Sequence, residues 1–418
     1  MVAQTSNSTA NPELAALDHL TRLMKINHLL SLLLLTAALP SLHAQTATIT
    51  GRDPAHLRVL FGGDTCYGES YQEQYATNGG TNILVEKGYD YPIANLNHLL
   101  AAVDFRVINL ETPLTKHHDS PYTTKDYLHY SDPVKLPAIF GHYGPIAYSL
   151  ANNHTLDQGT VGLDDTFAAL KAANSQCFGA GTNLAQASQP MIQHLRIGDG
   201  TVTLAVIGGF EYDKKYDEEF HFYARTNRPG TAVVDVPAVQ QQIVSLRQQY
   251  PDAFVVYFLH REDNYHWKNT RQDTELHELR AAGVDLVICA GAHMMQEVEY
   301  DGRGWVFYGL GNFLFNAQGR YASYHAPPFS IPLVVDFSMK NGRLQTGLRV
   351  YPTVSDNTIT GYQPRFVTET ELSAIDALLA EKSAWDAPAR AAVKRGQDET
   401  GRYLEFLTPH ATTKSAAK

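Results

Sequence analysis

Short polar side chains follow five apolar stretches of this sequence, at the point where each stretch ends. In residues 149–159, SLANNHTLDQG, two asparagines and a histidine come almost directly after the apolar residues 146–150. The five groups are Asp64; Asn109 and Glu111; Asn152, Asn153, His154 and Asp157; His260, Glu262 and Asp263; and His293 with Gln296. Carboxylate, amide and imidazole groups together suit a divalent ion such as Mn, Fe or Zn. Two such ions a few Å apart can hold the attacking and leaving oxygens of a phosphoryl transfer.

Each of these residues also has a purely structural interpretation. Asp64 beside two glycines, and Asp157 before a helical pattern, could both act as caps. Asn152 and Asn153 could form an Asx turn, and a single histidine such as His154 is more often a hydrogen-bonded structural residue. The recurrence at five strand ends, rather than any single residue, favours a metal site.

The elements that must position these groups are strands and helices in alternation. Apolar runs predict strands at 57–62, 103–110, 146–150, 254–259 and 284–289, and helical spacing is found at 91–102, 160–173, 239–249 and 273–282. In an open α/β sheet, ligands bind beyond the carboxyl ends of the strands. The polar groups are therefore expected to converge.

Hairpins and a charged helical pattern follow in the later part of the chain. Hairpins are predicted for 193–197 with 202–207, 298–300 with 305–308, and 331–337 with 344–350. Residues 369–406 have a charged helical pattern, and residues 408–418 read as a loose tail. The patterns together predict an α/β domain with a mixed sheet or two stacked sheets, and a helical C-terminal appendage.

The segment between residues 24 and 44 resembles a secretion signal. Lys25 supplies a positive charge, residues 29–39 (LLSLLLLTAAL) form an apolar run, and a cut before Gln45 would follow the small residue Ala44. The run is shorter than the roughly 20 residues that span a bilayer, and an uncleaved membrane anchor is the alternative. If residues 24–44 are a secretion signal, residues 1–23 are expected to be an upstream extension. We expect an exported protein of the periplasm or cell surface.

Composition disfavours some partners and leaves others open. The 418 residues carry a net charge of −10, which indicates no nucleic-acid partner and no anionic-lipid surface. Cys66, Cys177 and Cys289 are far apart and imply no disulfide framework. The 18 histidines are many for an exported protein, and they raise the question of a bound metal.

The order of these motifs resembles the bacterial capsule-synthesis protein family CapA, whose fold is similar to that of calcineurin-like metallophosphatases. The matching stretches are 61–68 (FGGDTCYG), 107–115 (VINLETPLT), 149–159 (SLANNHTLDQG), 179–187 (GAGTNLAQA) and 282–315, which includes YGLGNF. The resemblance implies stacked mixed β-sheets flanked by helices. It places this domain at residues 57–340, followed by a hairpin strand and helices at 341–407.

The resemblance also implies roles for particular residues. The expected metal ligands are Asp64, Glu111, Asn153, His260 and His293. His154, as a proton donor or a group behind the ligands, and Asp157 are the expected catalytic residues. Substrate binding is assigned to Asn109, Asn152, Gln296 and Asn312. The cofactor would be one or two divalent ions of Mn, Fe or Zn.

Two departures from the family pattern put this site in question. Residues 260–264 read HREDN where the family has His-Trp-Gly-x-Glu, and residues 291–293 read GAH where it has His-Pro-His. One missing ligand would lower metal affinity. Glu262, Asp263 or His266 could substitute, and a one-metal or degenerate site is an open alternative.

The family resemblance implies a role in capsule or poly-γ-glutamate assembly or export. One hypothesis is a metal-dependent hydrolase or transferase at the cell envelope that acts on an anionic polymer such as poly-γ-glutamate, or on a phosphoester, beside the capsule synthesis machinery. Its alternative is a non-catalytic relative that binds a polymer or partner, and a third is a secreted phosphoesterase. The negative net charge disfavours a polyglutamate surface unless a metal, or Arg225, Arg228 and Lys268, reverses the charge locally.

Overall fold

Strands and helices alternate along residues 47–408, the part of the chain that the computed structural model describes. The strands are β1 Ile49–Thr50, β2 His56–Cys66, β3 Phe105–Leu110, β4 Ile146–Ser149, β5 Gln176–Phe178, β6 Ala180–Gly181, β7 Met191–Ile197, β8 Gly200–Phe210, β9 Gly230–Thr231, β10 Phe254–His260, β11 Leu286–Ala290, β12 Val298–Tyr300, β13 Trp305–Phe307, β14 Asn312–Phe315, β15 Phe329–Ser330, β16 Leu333–Lys340, β17 Arg343–Val350, β18 Thr353–Val354, β19 Arg365–Phe366, β20 Val393–Gln397 and β21 Arg402–Phe406. The helices are α1 Glu69–Thr77, α2 Ile83–Glu86, α3 Asn97–Ala101, α4 Lys135–Gly141, α5 Gly159–Ala172, α6 Leu184–Ala187, α7 Lys214–Glu218, α8 Val236–Gln249, α9 Thr270–Ala281, α10 Tyr321–Tyr324, α11 Asn357–Thr360, α12 Glu369–Lys382 and α13 Ala387–Ala392.

Two large β-sheets organise these elements. Sheet A has the order β1-β7-β8-β10-β11-β13-β12, and sheet B has the order β20-β21-β17-β16-β2-β3-β4-β5 with β14 beside β2. Within sheet A, β8, β10, β11 and β13 are parallel to one another, and β1 is parallel to β7. Strand β7 is antiparallel to β8, and β12 is antiparallel to β13. In sheet B, β2 to β5 are parallel, and β16, β17, β21 and β20 are antiparallel. Both sheets are therefore mixed.

The two sheets pack face to face through the alternating side chains of their central strands. Val59 and Phe61 of β2 share one apolar core with Phe258 of β10 and Ile288 of β11. The rings of Phe61 and Phe258 meet edge to face, with centroids 6.2 Å apart. Since side chains alternate along a strand, the intervening Leu60 lies on the opposite face of sheet B. Burying each such side chain contributes about 1.5–3 kcal/mol.

Helices cover the outer faces of both sheets. Leu60 and Ile108 of sheet B pack with Leu163 of α5, whereas Val255 of sheet A packs with Leu276 of α9. The layers are therefore helix, sheet, sheet and helix. The α/β class with stacked mixed sheets flanked by helices is confirmed.

The predicted helical appendage at 369–406 is only partly correct. Helices α12 and α13 are present, but β20 and β21 form an antiparallel hairpin that joins sheet B through β17. In β21, Leu404 and Phe406 are buried while Glu405 between them is partly exposed, which is the period of a strand rather than a helix. The charges of Lys394 and Arg395 lie exposed on β20, an edge strand, where charged side chains are common.

Smaller differences concern the ends of elements. The helix predicted at 91–102 is limited to α3 and a short 3-10 turn before it. The three hairpins form at the predicted positions. The predicted domain boundary after residue 340 falls in the turn between β16 and β17, which pair along their whole length.

Several predictions concern the ends of the chain. The upstream extension (1–23), the secretion signal (24–44) and all but the first residue of the tail (408–418) lie outside the described residues. Within residues 47–408, no helix combines the length and the apolar composition that crossing a bilayer requires.

Candidate metal centre

The carboxyl ends of five strands meet at one edge, where the two sheets face each other. Asp64 lies in β2 and Glu111 follows β3 in sheet B, whereas His260 ends β10 and His293 follows β11 in sheet A. The turn after β4 brings His154 to the same place. The structure therefore brings together polar groups that are up to 229 positions apart in the sequence (64 to 293).

Glu111 lies at the centre of this edge, surrounded by three imidazole rings. Its Oε1 atom lies 3.9 Å from Nε2 of His154, 3.9 Å from Nε2 of His260 and 3.8 Å from Nε2 of His293. The side chain is fully buried. Burial, followed by the charges of nearby carboxylates, raises the pKa of Glu111 well above its ordinary value.

Four polar atoms at this edge are buried without a hydrogen-bond partner in the described part of the chain. They are both carboxylate oxygens of Glu111, Nε2 of His260 and Oδ1 of Asn153. Each such atom costs about 1–3 kcal/mol when it is left without a partner. Asp64, Glu111 and His293 also offer ligand atoms within 4.8 Å of one another. Oxygen and imidazole donors left without partners are compatible with a divalent metal.

Asp64 is held in place by hydrogen bonds from both sheets. The backbone N–H of Gly291 donates to its two carboxylate oxygens, at 2.8 Å and 3.0 Å, and Nδ2 of Asn109 donates at 2.9 Å. Nδ1 of His293 lies 3.5 Å from Oδ2. Burial raises the pKa of Asp64, although His293 and these hydrogen bonds oppose the shift. Asn109 therefore positions the carboxylate, and its Nδ2 atom also lies 3.1 Å from Nδ1 of His260.

We call the edge that holds Asp64, Glu111, Asn153, His154, His260 and His293 the metal edge, because five of these residues are the expected metal ligands. The turn in residues 149–159 makes hydrogen bonds within its own backbone and also contributes side chains to the metal edge. Oδ1 of Asn152 accepts hydrogen bonds from the backbone N–H of His154 and from Oγ1 of Thr155, each at 3.0 Å. Nδ2 of Asn152 donates to the backbone oxygen of Leu110 at 2.8 Å. Asn152 therefore forms the predicted Asx turn, and this turn fixes the backbone from which Asn153 and His154 face the cavity described below.

Lys125 and His129, which carry no signal in the sequence, complete the surroundings of His154. Nδ1 of His154 lies 2.6 Å from Oδ2 of Asp157 and 3.3 Å from Nζ of Lys125. Nζ of Lys125 lies 2.8 Å from Oδ1 of Asp157. The rings of His154 and His129 stack with centroids 3.6 Å apart. Both residues lie in an irregular loop, where neither periodicity nor a strand end indicates a function.

These contacts favour a neutral imidazole at position 154. Burial and the positive charge of Lys125 lower the pKa of His154 well below its ordinary value. A neutral ring whose Nδ1–H donates to Asp157 leaves an unprotonated Nε2 atom facing Glu111. The ligand atoms of His129, His154 and Asp157 form a second cluster, but the ammonium of Lys125 already supplies the positive charge that this cluster requires.

A family model described as bacterial capsule synthesis protein PGA_cap matches residues 58–317. The chain belongs to the PGA_cap family. The matched region contains every residue at the metal edge, and the resemblance seen in the sequence is confirmed.

Curated relatives of this PGA_cap chain are named for PGA, polyglutamine or capsule synthesis. The PGA biosynthesis protein CapA of Bacillus subtilis is 25% identical over 231 residues, 55% of this chain and 58% of that protein. A probable polyglutamine synthesis accessory protein of Mycobacterium tuberculosis is 29% identical over 226 residues, 52% of this chain and 57% of that protein. The capsule biosynthesis protein CapA of Bacillus anthracis is 24% identical over 292 residues, 69% and 67% of the two chains. The chain thus spans little more than half the length of the first two relatives.

Similarity to solved structures is weaker. A crystal structure described as a novel phosphatase from Mycoplasma pneumoniae covers 71% of this chain and 94% of its own, with a TM-score of 0.34 and 9% identity. Structural similarity with this TM-score and identity establishes neither the fold nor the function of the chain.

Gly291 explains one departure from the expected PGA_cap motif. Its backbone has φ of +104°, a conformation that side chains other than glycine's rarely adopt, and an added Cβ atom would lie 2.0 Å from the backbone oxygen of Arg261. A histidine cannot stand there without a backbone shift. The backbone N–H of Gly291 binds Asp64 instead.

Arg261 occupies the position of the expected tryptophan. Its side chain is 2% exposed and pairs with Glu275 and Glu211. The guanidinium is therefore neutralised beneath the metal edge.

Of the three proposed substitutes for missing ligands, only Glu262 contacts an expected ligand. Its Oε1 atom accepts hydrogen bonds from Nδ2 of Asn153 and, at 3.1 Å, from the hydroxyl of Tyr216. Burial raises the pKa of Glu262 to about 7. Asp263 instead accepts two hydrogen bonds from Asn269, and Nδ1 of His266 contacts the backbone of Asn264.

A cavity of about 910 Å³ opens onto the metal edge. Asn153, His154, Glu262 and His293 form part of its lining, and tyrosine side chains form much of the rest. The metal edge is therefore accessible to a ligand larger than water.

The four residues assigned to substrate binding lie behind this surface. Among residues 47–408, the lining of the cavity includes none of Asn109, Asn152, Gln296 and Asn312. Oδ1 of Asn312 lies 2.8 Å from Nδ1 of His293, and Nε2 of Gln296 donates to the backbone of His266. Their role in substrate binding stays a prediction, while the observed contacts position the residues in front of them.

The cations named from the sequence are not at the cavity. Arg225 and Arg228 pair with Asp217, and Lys268 pairs with Asp273 and Glu299. The cations in the lining are Lys125, Lys215 and Arg320. The prediction that Arg225, Arg228 and Lys268 lie at the cavity is wrong, because the position of a residue in the sequence does not indicate which side of a loop faces the cavity.

Proposed function

We propose that this PGA_cap chain is an exported metal-dependent hydrolase or transferase of the cell envelope, and that it acts on an anionic polymer such as poly-γ-glutamate or on a phosphoester. The names of its capsule-synthesis relatives support the biological setting. The secretion-like segment at residues 24–44 supports export. Capsule synthesis proteins are the expected partners.

One observation carries the proposed chemistry: a buried Glu111 carboxylate without a hydrogen-bond partner among the described residues faces three imidazole Nε2 atoms at 3.8–3.9 Å, and two of these histidines, His154 and His293, line the cavity. Asp64, Glu111, His260 and His293, with Oδ1 of Asn153, would hold one divalent ion of Mn, Fe or Zn. Bound there, the ion would supply Lewis-acid activation of a substrate oxygen or of water.

The remaining residues would position the substrate and move protons. A neutral His154, held through Nδ1 by Asp157, accepts a proton at Nε2 more readily than it donates one. Glu262 has a pKa of about 7 and lines the cavity, so it can exchange a proton with a bound group near neutral pH. Asn312 holds the ring of His293 through Nδ1.

A second candidate is a binding protein without catalysis. It is favoured by Gly291, which removes a side chain where the family resemblance implies a ligand, and by the hydrogen bond that ties Asn153 to Glu262. The two candidates differ in whether the protein retains a divalent metal.

Elemental analysis separates them. The chain, purified without chelator or metal-affinity resin, is expected to contain about one equivalent of Mn, Fe or Zn per chain. Asp64→Ala is expected to lose it, and Asp336→Ala, which removes a carboxylate on β16 away from the site, is expected to keep it. About two equivalents would indicate a second metal site. No metal in the unaltered chain would favour the binding protein.

A further inference from the structure

Arg320 faces the cavity from the segment that links β14 to α10. It lies directly before Tyr321, whose hydroxyl donates to the backbone oxygen of His293 at 2.7 Å. Arg320 and His293 both line the cavity. The arginine is thus on the same wall as an expected metal ligand.

Three tyrosine rings hold the guanidinium in place. Its Cζ atom lies 5.3 Å from the ring centroid of Tyr127, 5.6 Å from that of Tyr265 and 5.3 Å from that of Tyr324. A cation over aromatic faces is attracted by the rings without using its N–H donors. The ring of Tyr265 also packs against that of His293, with centroids 5.6 Å apart. The cage therefore fixes the guanidinium relative to the metal edge.

The donors of this guanidinium have no partner among the residues that the structure describes. The other partly buried or buried arginines in residues 47–408 donate hydrogen bonds to carboxylates or backbone oxygens, or form an ion pair; examples are Arg106 with Val103, Arg349 with Glu405 and Arg58 with Asp336. Arg320 is partly buried, and its side chain makes neither a hydrogen bond nor an ion pair within that range. An arginine has five N–H donors in a planar fork that matches carboxylate and phosphate oxygens.

We propose that Arg320 binds an acidic group of the substrate, a carboxylate or phosphate oxygen, and so selects anionic ligands for this cavity. The inference rests on the proposed function, because it takes the cavity as the substrate site. Lys215, which also lines the cavity and lies over the ring of Phe220 at 5.0 Å, adds a second positive charge to the rim. Arg320 thereby acts as a specificity-determining residue.

The test is equilibrium binding to the full chain by fluorescence anisotropy. The probes are a labelled γ-linked glutamate hexamer, the same hexamer with its free α-carboxylates converted to amides, and a labelled phosphoserine peptide. Each is measured after metal removal by chelator and again with added Mn. The variants are Arg320→Met, Arg320→Lys and, as a matched control, Arg343→Met, which removes an exposed arginine from β17 away from the cavity.

Arg320→Met is expected to weaken binding of at least one acidic probe by about 10- to 100-fold, as the loss of a charged hydrogen-bonded contact implies. Arg320→Lys is expected to give a smaller loss, because it keeps the charge but not the fork. Arg343→Met is expected to bind each acidic probe with the affinity of the unaltered chain. The affinity for the amide hexamer is expected to be the same in the unaltered chain and in Arg320→Met. The acidic probe that responds identifies whether the group is a carboxylate or a phosphate.

The inference is overturned if the unaltered chain binds neither acidic probe, or if Arg320→Met weakens binding of neither acidic probe more than Arg343→Met does. It is also overturned if the chain does not bind the phosphoserine peptide and binds the acid and amide hexamers equally. If Arg320→Met unfolds, which its thermal midpoint reports, Arg320→Lys carries the test. Failure of the proposed function can be distinguished from failure of this inference. If the chain holds no metal but its binding of an acidic probe depends on Arg320, the inference is supported and the proposed metal-dependent catalysis is not.

Discussion

Nζ of Lys125 lies 2.8 Å from Oδ1 of Asp157, and the two side chains are only 3% and 0% exposed. The second oxygen of this carboxylate lies 2.6 Å from Nδ1 of His154 and accepts the backbone N–H of His129 at 2.7 Å. A buried ion pair of this kind depends on both partners, because either charge alone would be left in a medium of low dielectric. The pair therefore ties the loop at 125–129 to the turn that carries His154.

Removing only one partner of this pair is expected to be severe. Lys125→Met should lower the free energy of unfolding by about 3–5 kcal/mol, because Asp157 would keep a buried charge without a counter-charge. The double variant Lys125→Met with Asp157→Asn should recover at least about 1 kcal/mol of that loss. The coupling energy is measured by urea unfolding of the unaltered chain, of Lys125→Met, of Asp157→Asn and of the double variant. Strictly additive effects would show that the pair does not hold the turn.

Restoring a histidine at position 291 is expected to destabilise the protein rather than add a ligand. The left-handed backbone and the 2.0 Å approach of the Arg261 oxygen should make Gly291→His cost at least about 3 kcal/mol, with no gain in bound metal. Gly302→Ala is the matched control, since Gly302 also has positive φ but has nothing within 4 Å of an added Cβ, and it should cost only about 1 kcal/mol. Unfolding free energy and metal content are both measured. An additional equivalent of metal in a stable Gly291→His protein would contradict this account.

Asn312 is expected to control metal affinity through the orientation of His293. Its Oδ1 atom lies 2.8 Å from Nδ1 of that ring, which leaves Nε2 toward Glu111. Asn312→Leu should weaken metal binding about 10- to 100-fold, as measured by competition with a chelating dye. Gln296→Leu, whose contact is with the backbone of His266, is the control and should change metal affinity little. If Asn312 instead bound the substrate, KM would change while metal affinity stayed constant.

The stability of the metal-free protein is expected to fall with rising pH because of Glu262. Burial raises the pKa of its carboxyl from 4.5 to about 7 in the folded protein. A raised folded-state pKa means that the stabilising contribution is complete below pH 4.5 and is lost as the pH rises through about 7. The loss amounts to about 3 kcal/mol at most.

Glu262→Gln tests this because an amide does not titrate. The unfolding free energies of the unaltered chain and of Glu262→Gln, both in chelator, should differ by about 2–3 kcal/mol more at pH 5 than at pH 8, with the unaltered chain favoured at the lower pH. Asp263→Asn, at the neighbouring position, is the control. A constant difference across this range would show that Glu262 does not titrate there.

The architecture and the location of the centre could be predicted from the order and type of the residues. Apolar runs with period two, helical runs between them and polar residues at each strand end predict an α/β fold whose strand ends converge. Each apolar run and the polar residue that follows it lie within a few positions of each other in the sequence. For this reason the sequence pattern was sufficient to select Asp64, Glu111, His154, His260 and His293. The hairpin of β20 and β21 was missed because short charged strands at a sheet edge resemble the exposed face of a helix.

The surroundings of that centre depend on how the chain packs. Lys125, His129 and Arg320 come from loops without periodicity, and their importance arises from burial and from neighbours that are distant in sequence. Whether Gly291 could be a histidine depends on a backbone angle and on the oxygen of Arg261, neither of which residue type reveals. Burial, pairing and close approach are properties of the packed chain. For this reason the polar residues at the strand ends could be selected from the sequence, whereas Lys125, His129 and Arg320 could not.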